Sequence, residues 1–248
     1  MTASYDRRIA RAEELAARYP ESADLLKFYR EIARFQKAVF ERSAGQSDLS
    51  PLLEHFPALF PLVERVGPAS LAAFPRECLR TEAERENLLR SYWEHTGIPS
   101  PEAQFFARVL LQPYAESLAL RGVPDMDSAE PVCPFCSSRP VAGILRGEGE
   151  GAKRSLLCSL CSTEWQYRRI ICPNCGEENK DKLPVYTAAD PDHVRVEACD
   201  SCKTYIKSVD LTKNGLAVPV VDELATVSLA IWADEQGYTK LETNLLGM

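Results

Sequence analysis

The sequence predicts a mainly α-helical N-terminal domain, then two small β modules of rubredoxin-like or zinc-ribbon type, and a C-terminal helix. Three observations predict it: apolar residues at helical spacing before residue 120, four C-x-x-C pairs between 133 and 202, and an apolar run after residue 217. The expected boundaries are 1–127 for the helical domain, 128–165 and 166–212 for the four-cysteine modules, and 213–248 for a C-terminal helix packing between the parts.

The helices are read in chain order. A first helix over about 4–19 carries Ile9, Ala12, Leu15 and Ala16, and Pro20 ends it. The next places Leu25, Phe28, Tyr29, Ile32, Phe35, Val39 and Phe40 on one face. Five prolines between 51 and 75 predict short or kinked helices. A helix over 81–95 carries Leu88, Leu89 and Trp93. Another starts at Ser100 as N-cap with Pro101 as its first residue, and Pro113 predicts a kink in it. These stripes are read as packed core rather than as the lining of a cofactor pocket. RGVPDMDSAEPV, residues 121–132, reads as a linker separating helical and cysteine-rich cores.

The cysteine pairs are Cys133/Cys136, Cys158/Cys161, Cys172/Cys175 and Cys199/Cys202. A two-residue gap lets both sulfurs of a tight turn point at one ion, and two such knuckles close a tetrahedral site. Pairing in chain order closes the shorter loops. It predicts two metal ions, iron or zinc, one on Cys133, Cys136, Cys158 and Cys161 and one on Cys172, Cys175, Cys199 and Cys202. Structural zinc and mononuclear redox iron both remain open on these ligands. Short strands are expected at Val141–Leu145 and Ser155–Leu157 around the loop RGEGEGAKR, and at Leu183–Thr187 and Val194–Glu197. Both halves then repeat knuckle, strand, loop, strand, knuckle. Thr163–Ile171 is expected as a strand joining them into one rigid unit, and Val218–Gln236 as one long buried helix.

Two rivals explain the cysteines less well. The opening MTASYDRRIA has no apolar export segment, and no stretch approaches a membrane helix, so the expectation is a cytoplasmic chain with reduced thiols rather than disulfides. A thioredoxin-like site needs one C-x-x-C, not four. Net charge is −7, and residues 131–210 carry 11 cationic and 11 acidic side chains, so no basic footprint for nucleic acid exists.

The remaining polar residues give no catalytic constellation, phosphate loop or histidine metal motif. Cys78 reads as a packed small residue, and His193, in the loop AADPDHVR, as exposed. His55 and His95 follow helical patterns. Asp222 and Glu223 suit the start of the last helix as capping acids. Trp165, Tyr167, Arg168 and Arg169 in TEWQYRRII either form a contact surface or, for the two aromatics, cover the metal sites.

The segments CPFCSSRPVAGIL, LLCSLCSTEW, RIICPNCG, EACDSCKTYIKSVD and DELATVSLAIWADEQGY resemble the formate dehydrogenase accessory protein family, FdhE, over most of 131–238. The resemblance implies a helical domain joined to two rubredoxin-like folds whose thiolates carry iron or zinc. It implies a cytoplasmic, non-catalytic factor that binds the catalytic subunit of a molybdenum- or tungsten-dependent formate dehydrogenase and aids its maturation or activation. Neither nucleic acid nor membrane insertion belongs to that reading, and self-association stays open. The alternatives are a rubredoxin-like electron-transfer protein and a nucleic-acid-binding zinc ribbon.

Overall fold

In a computed structural model the described residues are 3–97, 99–122, 130–149 and 151–248. The helical part contains α1 (Ala3–Arg18), α2 (Ala23–Ser43), α3 (Phe56–Val66), α4 (Ala69–Cys78), α5 (Glu82–Trp93) and α6 (Pro101–Ala119). Pro20 opens a 3-10 turn between α1 and α2, and prolines stand at the starts of the short elements between 50 and 78 or inside them. Thr81 and Glu84 form a reciprocal capping box on α5. Ser100 caps α6, accepting from the Ala103 amide, and Pro101 follows. Helix α6 continues past Pro113 and is buried on nearly every side, with Phe105, Phe106, Val109, Leu110 and Tyr114 in the core. It is the axle of the helical part.

The cysteine-rich part forms one twisted sheet with strand order β3-β2-β1-β6-β5-β4. Its strands are β1 (Pro140–Glu148), β2 (Gly151–Cys158), β3 (Glu164–Gln166), β4 (Val185–Thr187), β5 (Val194–Cys199) and β6 (Thr204–Asp210); β7 (Thr239–Lys240) adds to β6. Each half repeats knuckle, strand, strand, knuckle, strand, and the last strand of the second half, β6, is one the sequence reading did not hold. The loop expected at RGEGEGAKR shrinks to a hairpin tip, since β1 and β2 run to Glu148 and from Gly151. The joining strand expected over Thr163–Ile171 is regular only at Glu164–Gln166. The halves meet through β1 and β6, which pair parallel from Ala142↔Lys207 to Leu145↔Asp210. At that seam Gly143 faces Ser208, and a Cβ on Gly143 would run into the Ser208 hydroxyl.

The single long helix expected over Val218–Gln236 is two: α7 (Pro219–Ala225) and α8 (Val227–Glu235), broken at Thr226. The cause is a buried lysine. Lys207 Nζ on β6 donates to the carbonyls of Glu223 (2.6 Å) and Thr226 (3.1 Å), drawing the end of α7 toward the sheet. Burial all round holds for residues 221–225 of α7 but not for α8, where Ile231 is 56% exposed.

One hydrophobic core runs from α1, α2 and α6 through Cys133, Leu156, Cys158 and Cys161 to Trp165, Ile206 and Leu224. The expected separation of helical and cysteine-rich cores is therefore absent, and most of the linker expected at 121–132 lies outside the described residues. A second cluster sits under α8, where Val194, Val196 and Val209 of the sheet meet Leu229 and Ala233.

Buried charges reinforce the joint. Arg11 on α1 makes two bonds to Asp222 on α7 (2.6 and 3.0 Å), and His193 Nε2 lies 2.8 Å from the same carboxylate. His193 is thus only 5% exposed, against the expectation of a surface loop residue. Asp222 does receive the Val218 amide as a capping acid would, but its main partners lie in other elements. Burial disfavours its charge, yet bonds from His193 and Arg11 hold its carboxyl below the usual range.

Candidate metal centre

Each C-x-x-C pair folds into the same knuckle. The residue after each second cysteine has positive φ: Ser137 (60°), Ser162 (54°), Gly176 (75°) and Lys203 (55°). That left-handed residue turns its amide back toward the first cysteine. Ser137, Gly176 and Lys203 donate to the carbonyls of Cys133, Cys172 and Cys199 at 2.8–3.0 Å. The middle amides then point at sulfur: Phe135 to Cys133 Sγ (3.4 Å), Leu160 to Cys158 Sγ (3.3 Å) and Asn174 to Cys172 Sγ (3.4 Å). Amides aimed at a sulfur favour its thiolate form.

The eight sulfurs gather into two groups, Cys133, Cys136, Cys158 and Cys161, and Cys172, Cys175, Cys199 and Cys202. This is the chain-order pairing expected from the sequence. Within the first group, separations include 3.3 Å for Cys136–Cys158 and 3.5 Å for Cys133–Cys161. In the second, Cys172–Cys202 is 3.7 Å and Cys175–Cys199 is 3.6 Å. A tetrahedron with metal–sulfur bonds of about 2.3 Å has edges of about 3.8 Å. A disulfide requires about 2.05 Å. The donor set and its spacing therefore fit one tetrahedral ion per group.

The thiol electrostatics agree. In the first group contacts among the sulfurs pull Cys133 and Cys136 below the ordinary thiol range and push Cys161 above it, while burial pushes Cys158 up. In the second, burial pushes Cys172 and Cys199 up. It opposes the hydrogen bonds from Thr204 and Asn174 that bring Cys202 down to about 6. Sulfurs this close cannot all ionise alone, and a bound cation removes that conflict.

The two groups differ in setting. In the first, Cys133, Cys158 and Cys161 are buried in the shared core. Its second knuckle is tied to the helices: Gln112 donates to Ser159 O (2.8 Å), and Ser162 donates to Glu116 (2.8 Å), which also pairs with Arg8 (2.9 Å). His95, at the end of α5, lies 3.2 Å from Cys136 O through Nε2, a contact no local pattern announced. In the second group Cys175 is exposed. Cys175→Ala should therefore lower metal content from two equivalents to one and make 170–210 protease-sensitive, while the helical circular dichroism persists. Metal analysis with limited proteolysis checks this.

The other expected residues divide plainly. Trp165 and Tyr167 are buried, the indole donating to Glu130 O (3.0 Å), so they are packing and not contact surface. Arg168 is exposed but held by Glu178 through two bonds of 2.8 and 2.9 Å. Cys78, expected as a packed residue, is exposed at the end of α4. His55 is buried, edge-on to Phe35. Among the described residues no helix is long and apolar enough to cross a membrane.

Comparison with known proteins places these features. Residues 132–169 match the FdhE central domain and residues 170–246 the FdhE C-terminal domain. An FdhE homolog of Aquifex aeolicus is 29% identical over 259 residues, covering 94% of this chain and 92% of that protein. An FdhE homolog of Pseudomonas putida is 31% identical over 163 residues, covering 62% of this chain and 50% of the relative. Against that relative and the Shewanella oneidensis homolog, the match spans half or less of the relative's length. The crystal structure of the FdhE protein from Pseudomonas aeruginosa superposes with a TM-score of 0.73 at 25% identity, over 99% of this chain and 96% of that one.

Proposed function

Because the chain belongs to the FdhE family, we propose that it is a formate dehydrogenase accessory protein, binding the catalytic subunit in the cytoplasm and aiding its maturation or activation without catalysis of its own. The observation that carries the reading is the pair of closed four-cysteine groups inside the two FdhE domains. Four protein ligands fill a tetrahedral sphere and leave no position for substrate or water. The metal then holds the sheet and its surface in shape, and the protein acts through contact. Cys133, Cys136, Cys158 and Cys161 hold one ion and Cys172, Cys175, Cys199 and Cys202 the other, iron or zinc.

A second reading, rubredoxin-like electron transfer, draws on the exposure of Cys175, which brings the second site to the surface. Ferric thiolate absorbs visible light and zinc thiolate does not, so the spectrum of freshly purified protein separates the two. The function itself is tested in a deletion strain. Formate dehydrogenase activity should fall on deletion and return with the wild-type gene. Unchanged activity in the deletion strain would contradict the assignment.

A further inference from the structure

Beside the second cysteine group lies a cavity of about 390 Å³, lined in part by Ile170, Leu183, Val185, Ile206 and Leu241. The strand registers place it on one face of the sheet. Val185 on β4 faces Glu197 on β5, and Glu197 faces Ile206 on β6. The intervening residues Val194 and Val196 face the other way, into the cluster under α8. The cavity thus opens on the face opposite α8, between β4–β6 and the segment after Tyr167.

Its charges are ordered. Glu197 is spent on Arg154 (2.8 Å) and Arg195 (2.6 Å), which hold its carboxyl below the usual range against burial. Arg169 and Lys180 line the same cavity, are exposed, and make no side-chain ion pair or hydrogen bond among the described residues. Cys172 and Cys199 line it as well. A thiolate wall repels an anion, so a carboxylate belongs at the mouth, near Arg169 and Lys180, and an apolar side chain inside. Ile170 and Val185, each about half exposed, add uncovered apolar surface. Beside it, β4 ends the sheet, where an extended chain can run alongside.

The geometry points to a docking pocket for an extended protein segment that inserts one apolar side chain and flanks it with carboxylates. The proposal rests on the accessory reading for the identity of the partner, not for the chemistry of the pocket. Two-residue periodicity sets the motif: an acid two places from the apolar residue lies on the same face of an extended chain. Glu-Ser-Leu-Ser-Glu has that pattern. Lys-Ser-Leu-Ser-Lys has its reverse.

Fluorescein-labelled peptides of both sequences are titrated into the full metal-loaded chain, into Arg169→Glu with Lys180→Glu, and into Ile170→Asp with Val185→Asp. Unchanged circular dichroism and two metal equivalents show that the variants fold. The acidic peptide should bind the wild type, weaken by about tenfold or more in each double variant, and lose to the lysine peptide on the charge-reversed surface. Equal binding of both peptides, absence of binding, or indifference to either double variant overturns the proposal. So does binding of the apolar anion 8-anilinonaphthalene-1-sulfonate alone, which assigns the cavity to a small molecule. Overlapping segments of the formate dehydrogenase catalytic subunit, tested in parallel, should bind where they carry the acidic motif. If the acidic peptide binds as expected and no such segment does, the pocket stands and the accessory reading fails.

Discussion

Cys158→Ala should leave the whole chain without a stable fold, not just its first module. Cys158 belongs to the core that α1, α2 and α6 share with the sheet. The knuckle it begins is bonded to α6 through Ser159 and Ser162. A structural thiolate site contributes on the order of 10 kcal/mol or more, and a whole domain has only about 5–15 kcal/mol to lose. The truncated side chain also opens a hole where nothing can collapse without moving α6. Soluble yield, helical circular dichroism and metal content check this against Cys175→Ala, whose damage stays local. A Cys158→Ala protein with wild-type helicity and thermal midpoint would contradict the shared core.

Glu223→Ala should cost about 3–5 kcal/mol, the scale expected when one partner of a buried ion pair is removed. Glu223 is 0% exposed and faces two lysines, Lys207 at 3.0 Å and Lys240, with Asn244 donating at 3.0 Å. Without it, Lys207, 2% exposed, has lost its carboxylate. Burial opposes the charge of Glu223, but the two lysines hold its carboxyl down to about 2. Burial likewise pushes Lys207 down to about 8, against the attraction of Glu223 and helped by repulsion from Lys240. The acid side has a definite sign. A carboxyl depressed in the fold stabilises fully above its unfolded value near 4.5, and that share is lost as pH falls toward 2. The difference in stability between wild type and Glu223→Ala, from denaturant titration, should thus narrow as pH falls from 4.5 toward 2. Thiolate protonation occurs in both proteins and cancels in the difference. A gap that stays constant through that range would contradict the assignment.

The cysteine groups were legible because a knuckle is local: four residues and a gap of two carry the ligand geometry. Ser100 with Pro101 was legible for the same reason. What escaped is non-local. Nothing near His193 in sequence points to Asp222, and nothing near either points to Arg11, 211 residues before Asp222. An acid at a helix start and a histidine among prolines and aspartates read as surface until the chain folds them together. Strand β6 hid for a related reason. Its lysine breaks the alternation that marks a strand, yet Lys207 is buried and bonded to the end of α7. The same bonds split the last helix at Thr226, where periodicity alone continues without a break. Trp165 and Arg168 looked like interface anchors by composition. Burial removed the first and Glu178 engaged the second, leaving Arg169 and Ile170 on the surface.

Contact with formate dehydrogenase is read out by a quantitative pull-down from cells grown with formate. The tagged chain, shown to hold both metals, is recovered beside an untagged control, and its partners are measured by mass spectrometry. Strong enrichment of the formate dehydrogenase catalytic subunit is expected, reduced by Arg169→Glu with Lys180→Glu. Recovery of the folded, metal-loaded chain with no more of that subunit than the control would contradict it.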